Sequence, residues 1–197
     1  MKWLLEKPVL ALANTLLSLL RNRRRVSFSR PEFRAVNFTF SQYAEDAVAW
    51  VYLRRYAASP GIYIDAGAFD PVRMSTTLLL HQAGWKGINI DLDPEKISRF
   101  QEARPGDHSV ACALSDTKGS AKRFRYAEGA FNRITSGEDD SPHEKEVVDI
   151  SETETTTLTA VIENSPFRDF QIDYLNVDCE GHDLRVLRGL DFARWRS

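Results

Sequence analysis

The chain has 197 residues, the length of a single globular domain with room for a hydrophobic core. Its net charge of −2 is unevenly distributed, because residues 1–34 hold eight of the 26 basic side chains and two of the 28 acidic ones, which leaves 18 against 26 for the remainder. This acidic body argues against nucleic acid as the main substrate, and two cysteines without a CxxC pair and four scattered histidines argue against a zinc site.

Residues 1–36 are predicted to form an amphipathic helix and a basic arm that precede the main domain, residues 37–197. Apolar side chains recur at alternating spacings of four and three residues from Leu5 to Leu19, and five residues rich in arginine follow. The apolar run is too short for a bilayer span of about 20 residues, and the order of charge and apolar run is wrong for a signal peptide. An interfacial helix on an anionic membrane surface and a helix packed on its own domain or on a partner both stay open.

The cysteines Cys112 and Cys179 fall in predicted strands, as buried thiols of a reducing compartment do. We therefore expect a cytoplasmic protein. Peripheral membrane contact through residues 1–25 is one of the two interpretations of the N-terminal helix.

The main domain is organised around the stretch from Gly61 to Asp70. A helix over 47–56, N-capped by Ser41, precedes it, and Ile62–Ile64 predict a strand buried on both faces of a parallel sheet. Asp65, Gly67 and Asp70 follow, and an apolar helical run over 78–83 comes next. Strand, turn and helix form the first unit of a doubly wound sheet, whose ligands bind beyond the carboxyl ends of the strands.

The charge of this turn indicates the kind of ligand. A dinucleotide site needs G-x-G-x-x-G, but Phe69 stands where the second glycine belongs. Asp65 and Asp70 would repel the phosphates, each at a cost of about 4 kcal/mol at ~4 Å and an effective dielectric near 20. A cation such as S-adenosylmethionine suits this turn better, and an ordinary turn with capping aspartates is the alternative.

The chain then continues in alternating strands and helices. A second strand over 88–91 ends at Asp91, where an acidic residue would accept hydrogen bonds from both ribose hydroxyls of an adenosine. A helix over 95–103, a third strand over 109–114 and an extended segment over 120–127 follow. The polar stretch 128–146 predicts a substrate loop in which Phe131, Asn132 and Thr135 could touch ligand. A short strand over 147–150 and a helix from Thr157 to Asn164 come next.

The last strand, Tyr174–Val177, is expected beside the first, so that Asp178, Glu180 and His182 open onto the same crevice. Several interpretations of these residues stay open. Glu180 or His182 could accept the proton of a reacting hydroxyl, or Asp178 and Glu180 could only cap the helix that begins near Gly181, with His182 as a solvent-facing helix residue. Asp178 and Glu180 could also form a metal pair, and Cys179 with His182 could act as a nucleophilic pair.

Five stretches in this order resemble the FkbM-type family of S-adenosylmethionine-dependent methyltransferases across roughly residues 38–195. They are Ser41-Gln42 with Glu45-Asp46, Asp65 to Pro71, Gly84-Trp85 with Gly87 to Asp91, Ala113-Leu114-Ser115, and Asp178 to Leu184. The resemblance implies an α/β class I methyltransferase fold, with a mostly parallel Rossmann-like sheet and flanking helices, and O-methylation of a sugar, a lipid or a secondary metabolite.

The resemblance also implies roles for individual residues. Asp65, Gly67 and Asp70 would line the methionine half of the cofactor, Asp91 would hold the ribose with Asp93 nearby, and Leu114 and Ser115 would border the adenine. Asp178 and Glu180 would face the sulfonium and the acceptor hydroxyl, with His182 as a base; no metal is implied.

Two features depart from the family pattern. Phe69-Asp70-Pro71 replaces a turn rich in asparagine or glycine, and the chain stops at Ser197 where the family continues into further strands. From this we expect a sheet truncated at the C-terminus, with a central strand left as an edge that normally needs cover. A truncated gene product, a fragment and a chain completed by a partner all stay open, and a homo-oligomer is one possible assembly. A catalytically degenerate binding module, attached to a membrane or a partner through its N-terminal helix, is the alternative function.

Overall fold

The computed structural model describes residues 11–12, 15, 29, 31, 39–56, 60–127, 129, 132–135 and 146–195. The chain divides into two compact units, residues 1–38 and 39–197. In the first unit the Thr15 hydroxyl donates to the Ala11 carbonyl at 2.9 Å, and Leu12 is exposed; most of the predicted N-terminal helix lies outside the described residues. No helix among the described residues is long and apolar enough to cross a membrane.

Four parallel strands form the first sheet: β1 (Ile62–Ala66), β2 (Lys86–Asp91), β3 (His108–Ala111) and β8 (Tyr174–Val177). Their order is β3–β2–β1–β8. Every residue of β1 is buried, with Ile64 opposite Ile88 of β2 and Leu175 of β8. The prediction that the last strand lies beside the first is therefore confirmed, and the carboxyl ends of β1, β2 and β8 meet at one edge of the sheet.

Five helices are described: α1 (Glu45–Tyr56), α2 (Leu78–Gln82), α3 (Pro94–Ala103), α4 (Leu158–Glu163) and α5 (Asp183–Arg188). Their starts follow from the sequence. The Asp93 carboxylate accepts from the Glu95 backbone at 3.0 Å with proline in the first turn, and the Thr157 hydroxyl accepts from the Ala160 backbone at 3.1 Å. These N-caps satisfy backbone donors that would otherwise lack partners, so both predicted helix starts are confirmed.

Helix α1 packs against the rest of its unit through one face. Val48 and Tyr52 are exposed, whereas Trp50 and Leu53 pack against a cluster formed by Tyr63, Leu80 and Trp85. At the helix start, the Ser41 hydroxyl accepts from the Asp46 backbone at 3.3 Å and donates to the Asp46 carboxylate at 2.7 Å.

The other face of the first sheet carries the main core. Ile64 and Ile88 pack there with Leu158 and Ile162 of α4 and Val186 of α5. Helices α1 and α2 contribute to the cluster on one side and α4 and α5 to the core on the other, which is the three-layer arrangement of a doubly wound α/β fold.

A second sheet was not predicted as such. It contains β4 (Ala113–Leu114), β5 (Gly119–Tyr126), β6 (Arg133–Thr135) and β7 (Val147–Thr156), in the order β4–β7–β5–β6. The single third strand predicted over 109–114 is wrong: it breaks at Cys112, after which Ala113 pairs with Thr155 in the second sheet. The strand predicted over 147–150 extends to Thr156, antiparallel to β5.

Candidate active site at the carboxyl ends of the strands

A cavity of about 500 Å³, including its open mouth, lies at the carboxyl ends of β1, β2 and β8. Six of the ten predicted site residues line it: Gly67, Asp91, Leu114, Asp178, Glu180 and His182. The other four, Asp65, Asp70, Asp93 and Ser115, lie outside its lining.

Asp65 is buried beneath the cavity. One carboxylate oxygen accepts from the Thr77 hydroxyl at 2.7 Å and the other from the Asn176 amide at 2.9 Å. Burial raises the pKa of Asp65, while the two hydrogen bonds and the Arg104 charge act in the opposite direction. The Asp65 side chain therefore links β1 to β8 and to the segment before α2. Because Asp65 does not line the cavity, it can act on a ligand only through its charge.

Asp70 and Asp93 have local structural roles. Asp70 accepts from the backbones of Val72 and Arg73 at 2.9 and 2.8 Å, and it lies 3.7 Å from the Arg99 guanidinium. Asp93 caps α3. Of the two aspartates in the first acidic turn, Asp70 therefore fits the interpretation of a carboxylate that only satisfies nearby backbone donors.

Asp91 is paired with a cation that sequence reasoning missed. Lys96 Nζ lies 3.2 Å from Asp91 Oδ1 and 3.3 Å from Oδ2, and it also donates to the Gly129 carbonyl at 2.9 Å. Backbone donors of Phe69 and Asp93 occupy the same two oxygens at 3.1 and 2.9 Å. A ribose hydroxyl could reach the Asp91 carboxylate only by replacing or sharing the Lys96 contact.

Gly67 allows the ends of β1 and β8 to approach each other. Its φ is +83°, and a Cβ at this position would lie 1.8 Å from the Asp178 carbonyl oxygen. Its backbone N–H and that of Ala68 both donate to the Ile90 carbonyl, so the turn folds over β2. Phe69 follows with φ of +56°, and its ring centroid lies 4.9 Å from Lys96 Nζ.

Asp178 lines the cavity, and its carboxylate accepts no hydrogen bond from the described residues. Its backbone N–H donates to the Ala66 carbonyl at 2.9 Å. Partial burial, and then the Asp183 and Glu45 carboxylates, raise the pKa of Asp178. A cation placed here would relieve this concentration of negative charge.

His182 is buried, which contradicts the interpretation of it as a solvent-facing helix residue. Its Nε2 lies 3.1 Å from the Ser115 hydroxyl. Glu180 has φ of +51° in the turn before α5, and the carboxylate that holds this turn is Asp183, which accepts from the Cys179 backbone at 2.6 Å. Capping by Asp178 and Glu180 is therefore not what starts α5.

Leu114 and Ser115 are separated by the wall of the cavity. Leu114 lines it, whereas Ser115 is buried behind it in contact with His182. Of the three loop residues, Asn132 lines the cavity and its side chain accepts from the Tyr126 backbone at 3.0 Å, Thr135 lies in β6, and Phe131 falls outside the described residues.

Among the described residues, little supports the interpretations of a metal pair or a nucleophilic thiol. The described residues contain no group of three or more histidine, cysteine, aspartate or glutamate side chains that could hold a metal ion. Burial, and then the Asp183 and Asp178 carboxylates, raise the pKa of Cys179 far above its usual range. This opposes the thiolate that a Cys179–His182 nucleophilic pair would need.

The comparison with known families decides the identity of the fold. The family model described as the methyltransferase FkbM domain matches residues 65–196, well over half of the chain. The chain belongs to the FkbM methyltransferase family. No curated protein and no solved structure matches it.

This membership makes the chain a methyltransferase with a class I methyltransferase fold, as the resemblance implied. The matched range includes both acidic turns and ends beyond α5, and nothing in it supports the alternative of a degenerate binding module. A methyltransferase requires a methyl donor, and the charge of the cavity bears on which donor fits. Among the described residues, the lining presents three carboxylates (Asp91, Asp178 and Glu180) and the ammonium of Lys96, a balance that favours a cationic ligand over a phosphate.

Proposed function

We propose that this FkbM methyltransferase takes S-adenosylmethionine as its methyl donor and methylates a hydroxyl oxygen of a sugar, a lipid or a secondary metabolite. When bound, S-adenosylmethionine supplies an electrophilic methyl group on a positively charged sulfonium. The observation that supports this choice most directly is the Asp178 carboxylate, which lines an acidic cavity without a hydrogen-bond donor from the described residues.

The side chains of the cavity divide into charged and apolar groups. Asp178 and Glu180 supply the negative charge that attracts the donor. Ile90, Leu114 and Ile134 supply apolar walls for the adenine and keep water away. Asp91 binds the ribose hydroxyls when Lys96 moves away from the Asp91 carboxylate or shares that carboxylate with them.

A hydroxyl acceptor must lose its proton as its oxygen is methylated. His182 is the proposed proton acceptor because it lines the cavity, and because burial and then the Arg185 charge lower its pKa, which keeps the imidazole neutral. Glu180 is the alternative base from the same turn. Positioning of donor and acceptor supplies most of the remaining acceleration of such a displacement.

The first prediction concerns donor binding, measured by isothermal titration calorimetry. The protein is expected to bind S-adenosylmethionine, and Asp178→Asn is expected to weaken that binding about tenfold or more. A single unscreened charge pair at roughly 4 Å contributes up to about 4 kcal/mol at an effective dielectric near 20, and 1.4 kcal/mol already corresponds to tenfold.

The neutral thioether product, S-adenosylhomocysteine, serves as the matched ligand. Asp178→Asn should weaken its binding less, because it lacks the sulfonium charge, and the exposed Asp169→Asn should change neither affinity. Binding of NAD in competition with S-adenosylmethionine, or an equal loss for both sulfur ligands in Asp178→Asn, would overturn the proposal.

The second prediction concerns the cation beside Asp91. Lys96→Met is expected to tighten S-adenosylmethionine binding by about fivefold to tenfold. It removes a positive charge from the cavity and leaves the Asp91 oxygens open to the ribose, and a charge at roughly 8 Å contributes about 2 kcal/mol before screening at an effective dielectric near 20.

Lys118→Met, on the exposed turn before β5, removes the same charge from the surface and should leave the affinity unchanged. Weaker binding in Lys96→Met would mean that the ammonium donates to the ligand itself. In that case Lys96 would belong to the donor site and would not compete for Asp91.

A further inference from the structure

A line of four polar side chains runs from the cavity wall to the edge of the second sheet. His182 Nε2 lies 3.1 Å from Ser115 Oγ, Ser115 Oγ lies 3.1 Å from Asp116 Oδ1, and Arg185 Nη1 lies 3.2 Å from Asp116 Oδ2. His182 and Arg185 belong to the start of α5, whereas Ser115 and Asp116 follow β4. The line therefore joins two elements that are 67 residues apart in sequence.

The backbone around Ser115 is held on both sides. Its N–H donates to the Thr156 carbonyl at 2.8 Å, and a Cβ at Gly189, which follows α5, would lie 2.3 Å from the Ser115 carbonyl oxygen. Ser115 and His182 are both buried. The contact between them is therefore set by the packing of α5 on β4 and does not depend on mobile surface side chains.

The direction of the hydrogen bonds follows from counting protons. Asp116 is held as a carboxylate: partial burial acts against ionisation, but the hydrogen bond from Ser115 and the charge of Arg185 lower its pKa. A carboxylate only accepts, so the single Ser115 hydroxyl proton goes to Asp116. Ser115 Oγ must then accept from His182, which places the ring proton on Nε2.

The second ring nitrogen, Nδ1, is left with its lone pair. Nδ1 makes no hydrogen bond to the described residues. It is also not completely buried, because it is absent from the fully buried polar atoms that lack a partner. The charged groups that face the ring are Arg185 and Asp183 from α5 and Asp116 from the turn after β4, and the cavity adds Asp178 and Glu180.

We propose that Ser115 and Asp116 are positioning residues that hold His182 as the Nε2–H tautomer, so that Nδ1 is the atom that takes the proton of the acceptor hydroxyl. The inference rests on the proposed function, in which His182 is the base. The methyl group passes from the sulfonium sulfur, which is left as a neutral thioether, to the acceptor oxygen, whose O–H bond breaks as its proton passes to Nδ1. The imidazolium that results keeps its Nε2–H bond to Ser115, whose hydroxyl remains oriented by the Asp116 carboxylate.

If His182 only packed α5 against the second sheet, either tautomer of its ring would serve. The tautomer of His182 is therefore the property to measure. In long-range nitrogen–proton NMR spectra of the full chain above the pKa of His182, Nε2 is expected to give the signal of a protonated ring nitrogen and Nδ1 that of an unprotonated one. His182→Asn assigns the signals among the four histidines.

Ser115→Ala is expected to shift the tautomer ratio by about fivefold toward Nδ1–H, the equivalent of one ordinary hydrogen bond. Asp116→Asn should shift it in the same direction, because an amide no longer obliges Ser115 to donate away from the ring. Ser165→Ala removes another buried serine hydroxyl, one that donates to the Ile162 carbonyl, and should leave the ratio unchanged.

An Nδ1–H tautomer in the unmodified protein would overturn the inference, even if Ser115→Ala failed to fold. An unchanged ratio in both folded variants would overturn it as well. Calorimetry with S-adenosylmethionine on the same samples separates the two proposals. Donor binding with the wrong tautomer removes only the positioning role, whereas the expected tautomer without donor binding removes the proposed function.

Discussion

Gly67→Ala is expected to abolish folding of this methyltransferase or to destabilise it by more than about 4 kcal/mol, at the exceptional end for one substitution. The added Cβ would lie 1.8 Å from the Asp178 carbonyl oxygen and 2.7 Å from its carbonyl carbon. Both are backbone atoms, so relief requires β1 and β8 to separate at their carboxyl ends. The 2.9 Å hydrogen bond from the Asp178 backbone to the Ala66 carbonyl would be lost as a result. Urea unfolding followed by circular dichroism measures the effect.

Gly181→Ala provides the matched control. Gly181 also has a positive φ, +90°, but a Cβ there would meet nothing within 4 Å. It should cost only the strain of a left-handed alanine, about 1–2 kcal/mol. If both variants lost the same stability, close approach would not be the reason for the glycine at position 67.

The Gly67→Ala result would also distinguish two explanations for the glycine in the acidic turn. A glycine after the first strand is readily attributed to the ligand, because dinucleotide folds use it for close approach to a pyrophosphate. Here the crowding atoms belong to the chain itself. The loss in Gly67→Ala should therefore appear in the free energy of unfolding without any ligand present.

The first sheet was predictable because its strands are short apolar runs in a buried environment. Ile62–Ile64 and Ile88–Ile90 have few alternatives to a strand buried on both faces, and their positions predicted the edge at which the acidic residues meet. The second sheet was not predictable in the same way. β7 is mostly exposed, and polar residues such as Glu152 and Glu154 give it no apolar alternation, so its length depends on pairing with β5.

The candidate site illustrates the same limit for side chains. The sequence placed Asp91 and Asp178 at strand ends correctly, because strand ends are set by local pattern. It did not indicate that the two carboxylate oxygens of Asp65 would accept hydrogen bonds from Thr77 and Asn176.

Of two contacts in the site, one could have been predicted from the sequence and the other could not. Lys96 occupies the third position of α3, and helical side chains lean toward the helix N-terminus, so its reach back to Asp91 had a local signal. The contact between Ser115 and His182 had none, since it arises only when α5 packs beside β4.

Arg104→Met is expected to destabilise the protein by about 3–5 kcal/mol, the usual cost of removing one partner from a buried charged network. Arg104 is 1% exposed. Its guanidinium donates to the Thr77 hydroxyl and the Ser75 hydroxyl at 2.9 Å each, and to the Pro71 carbonyl. Thr77 in turn donates to the buried Asp65, so the variant leaves that carboxylate without its nearby cation. The exposed Arg99→Met, which loses only surface ion pairs, should change stability by less than about 0.5 kcal/mol.

The stability deficit of Arg104→Met should depend on pH in a direction that identifies Asp65. Burial raises the pKa of Asp65 in the folded protein, and the Arg104 charge acts against this, so the variant should raise that pKa further. Between the unfolded and the raised folded pKa, the folded state binds more protons than the unfolded state, and stability falls as pH rises. The deficit should therefore be largest above the folded pKa and narrow as acid protonates Asp65, measured by urea unfolding of both proteins across the acidic range. A deficit that is constant with pH would mean that Arg104 stabilises the fold through its neutral hydrogen-bond acceptors, and that the negative charge of Asp65 does not need it.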